Sequence, residues 1–297
     1  MTPIAVATAA AAGLVAQLLD GGLGMGFGTV ATALLAGIGL APVVVAAAAA
    51  SAALVAGIVS TAAHTRFGNV HWPTALPLGA AGAAGGFTGA WALSSLAGLD
   101  AATPVTSAAL MAVGAVLAWR GYKGDLPIGK PRKGFAVPTG LVGGFAGAVS
   151  GGWGPVTVPI LMSVSRLEPR KVIGSAAFAQ TLAAAGALLS FWLFAPQSLG
   201  VAMPLAEGLA IGAVIAAPVA AWLTGRLPAA KLTATIGMLT IALHLRTLLT
   251  DLPLPWPAAT ALYLALAAAW ALALVGPRKR PTPQIPEQRP APAEAEA

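Results

Sequence analysis

Long apolar stretches constrain this chain more than any other feature. A helix crossing the roughly 30 Å hydrocarbon core of a bilayer needs about 20 apolar residues. Stretches of that kind occupy residues 43–63, 73–96, 104–119, 172–194, 203–223, 232–249 and 256–275. Charge between them is scarce, with 16 Lys and Arg against 9 Asp and Glu in 297 residues. Charged residues make up 8% of the chain and its mean hydropathy is +0.84. Soluble domains carry about 25% charge, which they need to cover a core. An ordinary soluble enzyme, a nucleic-acid module and a disordered chain are therefore excluded. The expected fold class is an all-α polytopic membrane protein. Its net charge of +7 points to the lipid bilayer as anionic partner, and no nucleic acid is expected. With no cysteine there is neither a thiolate metal site nor a cysteine nucleophile. Met1-Thr2-Pro3-Ile4 lacks a positive n-region, so the N-terminus reads as a first membrane segment and not a cleaved signal.

The few charges give orientation. Before Arg120 the sequence holds Asp20, Arg66 and Asp100 and no other charged residue. Basic residues then cluster in alternate connections: Arg120 to Lys133, Arg166 to Lys171, Arg226 and Lys231, and the tail from Arg278. Counting crossings places all of the 16 basic residues except Arg246 on one face. By the positive-inside rule that face is cytoplasmic. The expected location is a bacterial inner membrane, with the N-terminus outside and the C-terminus inside. The Pro- and Glu-rich tail, 277–297, reads as disordered.

Two segment pairs are too short for ordinary spans. Residues 4–19 lead into the glycine run 20–28 and then a short stretch, 29–40; residues 135–149 lead into 150–154 and then 156–164. A stretch of 9 to 12 residues covers only about 14–18 Å as helix. These odd features recur in the same order, which suggests an internal repeat. Gly13-Leu14-Val15 returns as Gly140-Leu141-Val142, and Pro42 and Pro77 recur at the same offset as Pro169 and Pro204. Each half has an odd number of crossings, so the halves are inverted, as in many transporters. The expected organisation is a first half at 1–120, a basic cytoplasmic linker at 121–134, a second half at 135–250, a final helix at 251–276 and the tail.

Glycine at every second position makes the stretch from Asp20 to Phe27 a poor helix. Irregular backbone at membrane depth survives where protein or a water-filled cavity covers it. Thr29 suits an N-cap and Pro155 a first helical position. Two short helices would then aim their N-termini at the membrane centre, where free N–H groups and dipole ends attract anions. Phe27 and Trp153 would wall such a site. Close helix packing is the competing explanation of the glycines, and it suits Gly82-x3-Gly86 and Gly140-x3-Gly144. A dinucleotide fingerprint is rejected, because the run is G-x-G-x-G without a βαβ setting.

The glycine runs and two neighbouring stretches resemble the TauE/SafE family of sulfite and organosulfonate transporters. The resemblance is carried by Gln17-x2-Asp20-Gly21-x2-Gly24-Met25-Gly26-Phe27-Gly28-Thr29, by Arg66-Phe67-Gly68-Asn69-Val70, by Gly151-Gly152-Trp153-Gly154-Pro155, and by Pro169 to Ser175. It implies a duplicated permease moving a small anionic substrate of the sulfite, thiosulfate or sulfonate class, usually outward, with no ATP and no cofactor. Residues 13 to 249 fall within it. Members often carry a polar His-Thr-Ala-Glu-like run where this chain has Ala50-Ser51-Ala52-Ala53, and an acid where it has Gln180.

The candidate anion-binding set is Gly24, Gly26, Phe27, Gly28, Thr29, Ser51, Gly151, Gly152, Trp153, Gly154, Ser175 and Gln180. Ser175 and Gln180 are five residues apart on one helix and point in different directions. Gln180 is the stronger candidate, since a mid-span amide is costly to bury in lipid. Asp20 and Glu207 are candidates for coupling, against plain turn and interfacial roles. His64, His71 and His244 are too scattered for a metal site, and no catalytic triad emerges. The chain is therefore expected not to be an enzyme. A passive anion channel and a membrane-embedded lipid enzyme are the alternatives to a transporter, and a homodimer is one option for its assembly.

Overall fold

The computed structural model describes residues 3–24, 27–36, 41–95, 103–124, 129, 134–251 and 255–275. Among them are eleven α-helices and no strand. In order these are α1 Pro3–Leu23, α2 Phe27–Ala36, α3 Pro42–Arg66, α4 Trp72–Ser95, α5 Thr103–Lys123 and α6 Ala136–Ser150. They continue with α7 Trp153–Val164, α8 Pro169–Phe194, α9 Pro196–Arg226, α10 Ala229–Asp251 and α11 Trp256–Val275. The protein is an all-α polytopic membrane protein. Among the described residues, α3, α8, α9 and α11 are by length and hydropathy able to cross a bilayer. The tail, most of the basic linker, Met25 and Gly26 lie outside the described residues.

Proline and glycine set the boundaries. Pro42, Pro169 and Pro196 occupy the first turns of α3, α8 and α9, where a missing N–H costs nothing. Pro77 and Pro204 each lie inside a helix, in α4 and α9. Two boundaries depart from the sequence expectation. Helix α9 starts at Pro196, well before residue 203, and runs for 31 residues. Helix α1 continues through Asp20, Gly21 and Gly22 to Leu23. Tertiary contacts override the weak helix propensity there. The Thr224 hydroxyl donates to the carbonyls of Gly21 and Gly22, and Gly21 packs on Ala220. The helix stops at Gly24, whose φ of 68° is left-handed.

Helices meet through bare backbone. A Cβ on Gly85 would lie 2.2 Å from the Leu141 carbonyl oxygen, and one on Gly144 would lie 2.2 Å from that of Gly82. These contacts run α6 parallel along α4. Gly13 against Leu209 and Gly21 against Ala220 run α1 parallel along α9 in the same manner. Helices α3 and α8 cross where Gly57 and Thr61 meet Thr181, while α5 pairs with α10. Helices α1 and α6 thus each pack on a long helix distant in sequence, α9 and α4. Large apolar side chains face outward along α9, at Ile211, Ile215, Val219 and Trp222, which is the inverse of a soluble surface. Helix α11 buries none of its residues, so it adds lipid-facing surface and little core.

Close packing of this kind has a clear mutational signature. Gly186→Val should sharply lower thermal stability in detergent, since its Cβ would sit 2.1 Å from the Ala83 carbonyl oxygen. Overpacking a tight core typically costs about 1–3 kcal/mol. Gly200→Ala, with nothing within 4 Å, should leave the melting temperature unchanged.

Candidate functional site

The second glycine tip is a tight reversal. Gly151 closes α6 with φ 71°, its N–H donating to the Gly147 carbonyl, while the Gly152 N–H donates to that of Ala146. That pattern satisfies the last carbonyls of α6 and leaves no room for a side chain at Gly151. Helix α7 then returns antiparallel along α6, with Trp153 beside Gly147 and Thr157 beside Gly143. The pair folds back on itself. Its first helical residue is Trp153, and Pro155 is the third, still in the first turn; the Val156 N–H already donates to the Gly152 carbonyl. Thr29 likewise lies within α2, which begins at Phe27, so it is not the N-cap the sequence suggested. Its side chain is outside the described ones.

The two tips touch. A Cβ on Gly28 would lie 2.8 Å from the Gly151 carbonyl oxygen, and one on Gly151 would lie 2.5 Å from the carbonyl of Gly28. The Thr32 hydroxyl donates to the Ser150 carbonyl across the same contact, at 3.3 Å. Beside this contact lies a cavity of about 40 Å³, bounded by Gly28, Gly151, Trp153, Gln180 and small residues of α3, α6 and α8. A water needs about 10–15 Å³ measured in this way, so the space suits roughly three waters or one small oxyanion. Among the described residues, the wall contains no Asp, Glu, Lys, Arg or His.

Polarity in this wall comes from backbone and two side chains. Gln180 is 8% exposed and lends its amide. The Trp153 indole N–H is buried without an acceptor. Next to the wall, the first N–H groups of α7, from Trp153 and Gly154, precede any intrahelical acceptor, and the positive end of the helix dipole adds to them. An anion there would meet these N–H groups and no full positive charge among the described lining residues.

Other candidates are placed elsewhere. Phe27 is fully buried among α3 residues and does not border the cavity. The Ser51 hydroxyl donates to the Ala47 carbonyl within α3, while its neighbours Ala50 and Ala53 border the cavity. Ser175 accepts the His71 N–H at 2.9 Å, five residues before Gln180 on α8, and does not border the cavity. Gly24 packs on Val158 and Ile173, Gly152 and Gly154 adjoin the cavity without bordering it, and Glu207 is exposed on α9. Asp20 lies in the last turn of α1, where its carbonyl accepts the Gly24 N–H. The alanine walls of α3 and α8 were missed by sequence reasoning, because alanine is everywhere in this chain. Among the described residues, no group of His, Asp and Glu could hold a metal ion.

A polytopic helical fold with a small cavity beside two touching helix tips is the architecture of a membrane transporter. The family described as sulfite exporter TauE/SafE matches residues 9–247, and the chain belongs to that family. It is 36% identical over 251 residues to the probable membrane transporter protein YtnM of Bacillus subtilis, covering 80% of this chain and 81% of that protein. No solved structure matches the chain significantly.

The tip geometry separates two adjacent glycines. Gly151→Ala should strain a left-handed residue by about 1–2 kcal/mol and push α2 away, lowering the melting temperature. Gly152→Ala should be near neutral, because its Cβ would meet nothing closer than the Ser150 hydroxyl at 3.1 Å.

Proposed function

We propose that this protein carries a small sulfur oxyanion, such as sulfite or an organosulfonate, out of a bacterial cell across the inner membrane. The observation that carries this reading is the uncharged cavity beside the contact of Gly28 with Gly151. The anion would be held by the first N–H groups of α7, by the Gln180 amide and by the Trp153 indole. Its size limit would follow from the small-residue walls. Family membership supports the substrate class, since the matching family is described as a sulfite exporter.

The reading extends to topology and motion. Helices α1–α5 and α6–α10 would form two inverted halves, residues 1–120 and 135–250, with the N-terminus outside and the C-terminus cytoplasmic. The crossed packing of α1 on α9 and of α6 on α4 supports this division. Rocking one half against the other would part the tips and open the cavity to each side in turn, which is alternating access.

The test is flux of labelled sulfite, thiosulfate, sulfate, taurine and sulfoacetate in proteoliposomes. Saturable exchange of sulfite or a sulfonate is expected, with sulfate poorer. Gln180→Leu should reduce kcat/KM by about tenfold, the loss of one charge-assisted hydrogen bond of about 1.5 kcal/mol. Gly28→Val should abolish flux while the protein still inserts. Undiminished exchange in both variants would remove the anion from this cavity, and non-saturating conductance would make the protein a channel.

A further inference from the structure

A second polar site lies on the other side of the α3–α8 crossing, where α1, α3 and α9 converge. Gln17, Ser60, His64, Asn69 and Thr224 are each at most 2% exposed there. Gln17 Nε2 and Ser60 Oγ both lie close to Gly21, and the His64 ring lies beside the Gly21 carbonyl. Three atoms in this cluster have no hydrogen-bond partner, Gln17 Nε2, Ser60 Oγ and Asn69 Oδ1, and His64 Nε2 has only the Gly21 carbonyl, outside good hydrogen-bond geometry. A stable core does not leave such groups poorly paired without a reason, since each loses its water on burial. The anion cavity makes no use of them.

The geometry fixes the state of the ring. Asn69 Nδ2 lies 3.3 Å from His64 Nδ1 and donates to the Ala221 carbonyl on α9 at 3.2 Å. Each of its two hydrogens is thereby assigned. His64 Nδ1 must accept, so the single proton of the neutral ring is on Nε2. A second proton can enter only at Nδ1, where two donors would then face each other. Asn69 must turn its amide to offer Oδ1, and the turn withdraws Nδ2 from Ala221.

We propose that His64 is the proton-binding site of the transport cycle, and that protonation at Nδ1 unlatches the α3–α4 turn from α9. The proposal rests on the transport reading above and adds its coupling ion. A proton from water adds to the Nδ1 lone pair to give the imidazolium, and the same proton returns to water when the site faces the other side. No covalent bond other than this N–H is made or broken. His64 lies in the last turn of α3 and beside Gly21 in the last turn of α1, so the negative ends of two helix dipoles lie near the ring.

The latch is sited to transmit this change. The turn after α3 is clamped by the second half of the chain at three points: Lys171 Nζ donates to the Gly68 carbonyl at 2.6 Å, Ser175 accepts the His71 N–H, and Gly174 packs under the Asn69 carbonyl. Asn69 adds the fourth, on α9. Losing it frees α9 while α8 keeps its hold, which is a small step toward parting the halves. The charged groups on the surrounding elements are Asp20 on α1, Arg66 on α3, Glu168, Arg170 and Lys171 at the start of α8, and Arg226 on α9. Glu168 pairs with Arg170 at 2.6 Å, and Arg226 stacks on Trp222. His71 is the other histidine of the turn. Burial first, and the Lys171 cation second, hold its pKa below the ordinary value.

The experiment uses the full chain in proteoliposomes with labelled sulfite, read two ways: exchange at equal pH on both sides, and uphill accumulation driven by an imposed pH gradient. The wild type should show both. His64→Gln keeps an amide against Asn69 but cannot take a proton, and it should retain exchange, lose accumulation and show a flat pH profile. Asn69→Ala keeps the ring but removes the latch, and it too should exchange without accumulating. His71→Gln should behave as wild type. Gradient-driven accumulation surviving in His64→Gln or Asn69→Ala overturns the proposal, as does its loss in His71→Gln alone. Wild-type exchange that ignores the gradient overturns it while leaving the transport reading intact. Absence of any wild-type sulfite exchange overturns that reading and the proposal with it.

Discussion

Gly28 and Gly151 meet with nothing between their backbones, and the rest of the molecule is arranged around that contact. Helix ends inside a membrane carry N–H and C=O groups that lipid cannot satisfy. They can persist only where other protein covers them or where a polar ligand or water reaches them. The α6 end is closed by its own carbonyl pattern at Gly151 and Gly152, whereas the first N–H groups of α7 lie beside a small cavity bordered by Trp153. Shielding from lipid comes from α3 and α8, whose alanines approach the tips closely because they carry only a methyl group. A bulkier wall would fill the 40 Å³ that the tips leave open.

The same economy governs the scaffold. Lipid offers no hydrophobic force between helices, so association relies on close packing and hydrogen bonding. Glycine supplies the closeness: α4 with α6, α4 with α8, α5 with α10 and α1 with α9 all approach at positions where a Cβ would strike a carbonyl. Such contacts are rigid and numerous. The α3–α4 turn differs, because it is held by specific hydrogen bonds from α8 and α9, and bonds of that kind can be exchanged for others at small cost. A transporter needs both qualities, bodies that keep their shape and a few contacts that switch.

Much of this was legible in the sequence. Apolar runs bounded by proline located most spans to within a few residues, and Pro42 and Pro169 each open a helix, α3 and α8. Gly28, Gly151, Trp153 and Gln180, picked out because each is unusual in its setting, all border the cavity. Other features were hidden by physics that composition does not encode. The extension of α1 to Leu23 depends on a threonine two hundred residues away. Ser51 was indistinguishable in sequence from a cavity residue, and only the helix phase turns its hydroxyl back onto Ala47. The cluster around His64 is spread from Gln17 to Thr224, so no local motif announces it.

The central claim is that an anion is bound by backbone N–H groups in a cavity without a charged side chain. The most direct measurement is a structure of the full chain with selenite, a heavy analogue of sulfite whose selenium can be located by anomalous scattering. The account predicts a single strong peak between the Gly28–Gly151 contact and Gln180, within hydrogen-bond reach of the Trp153 and Gly154 N–H groups. An empty cavity with selenium instead beside Arg66, Lys171 or another basic side chain would contradict it.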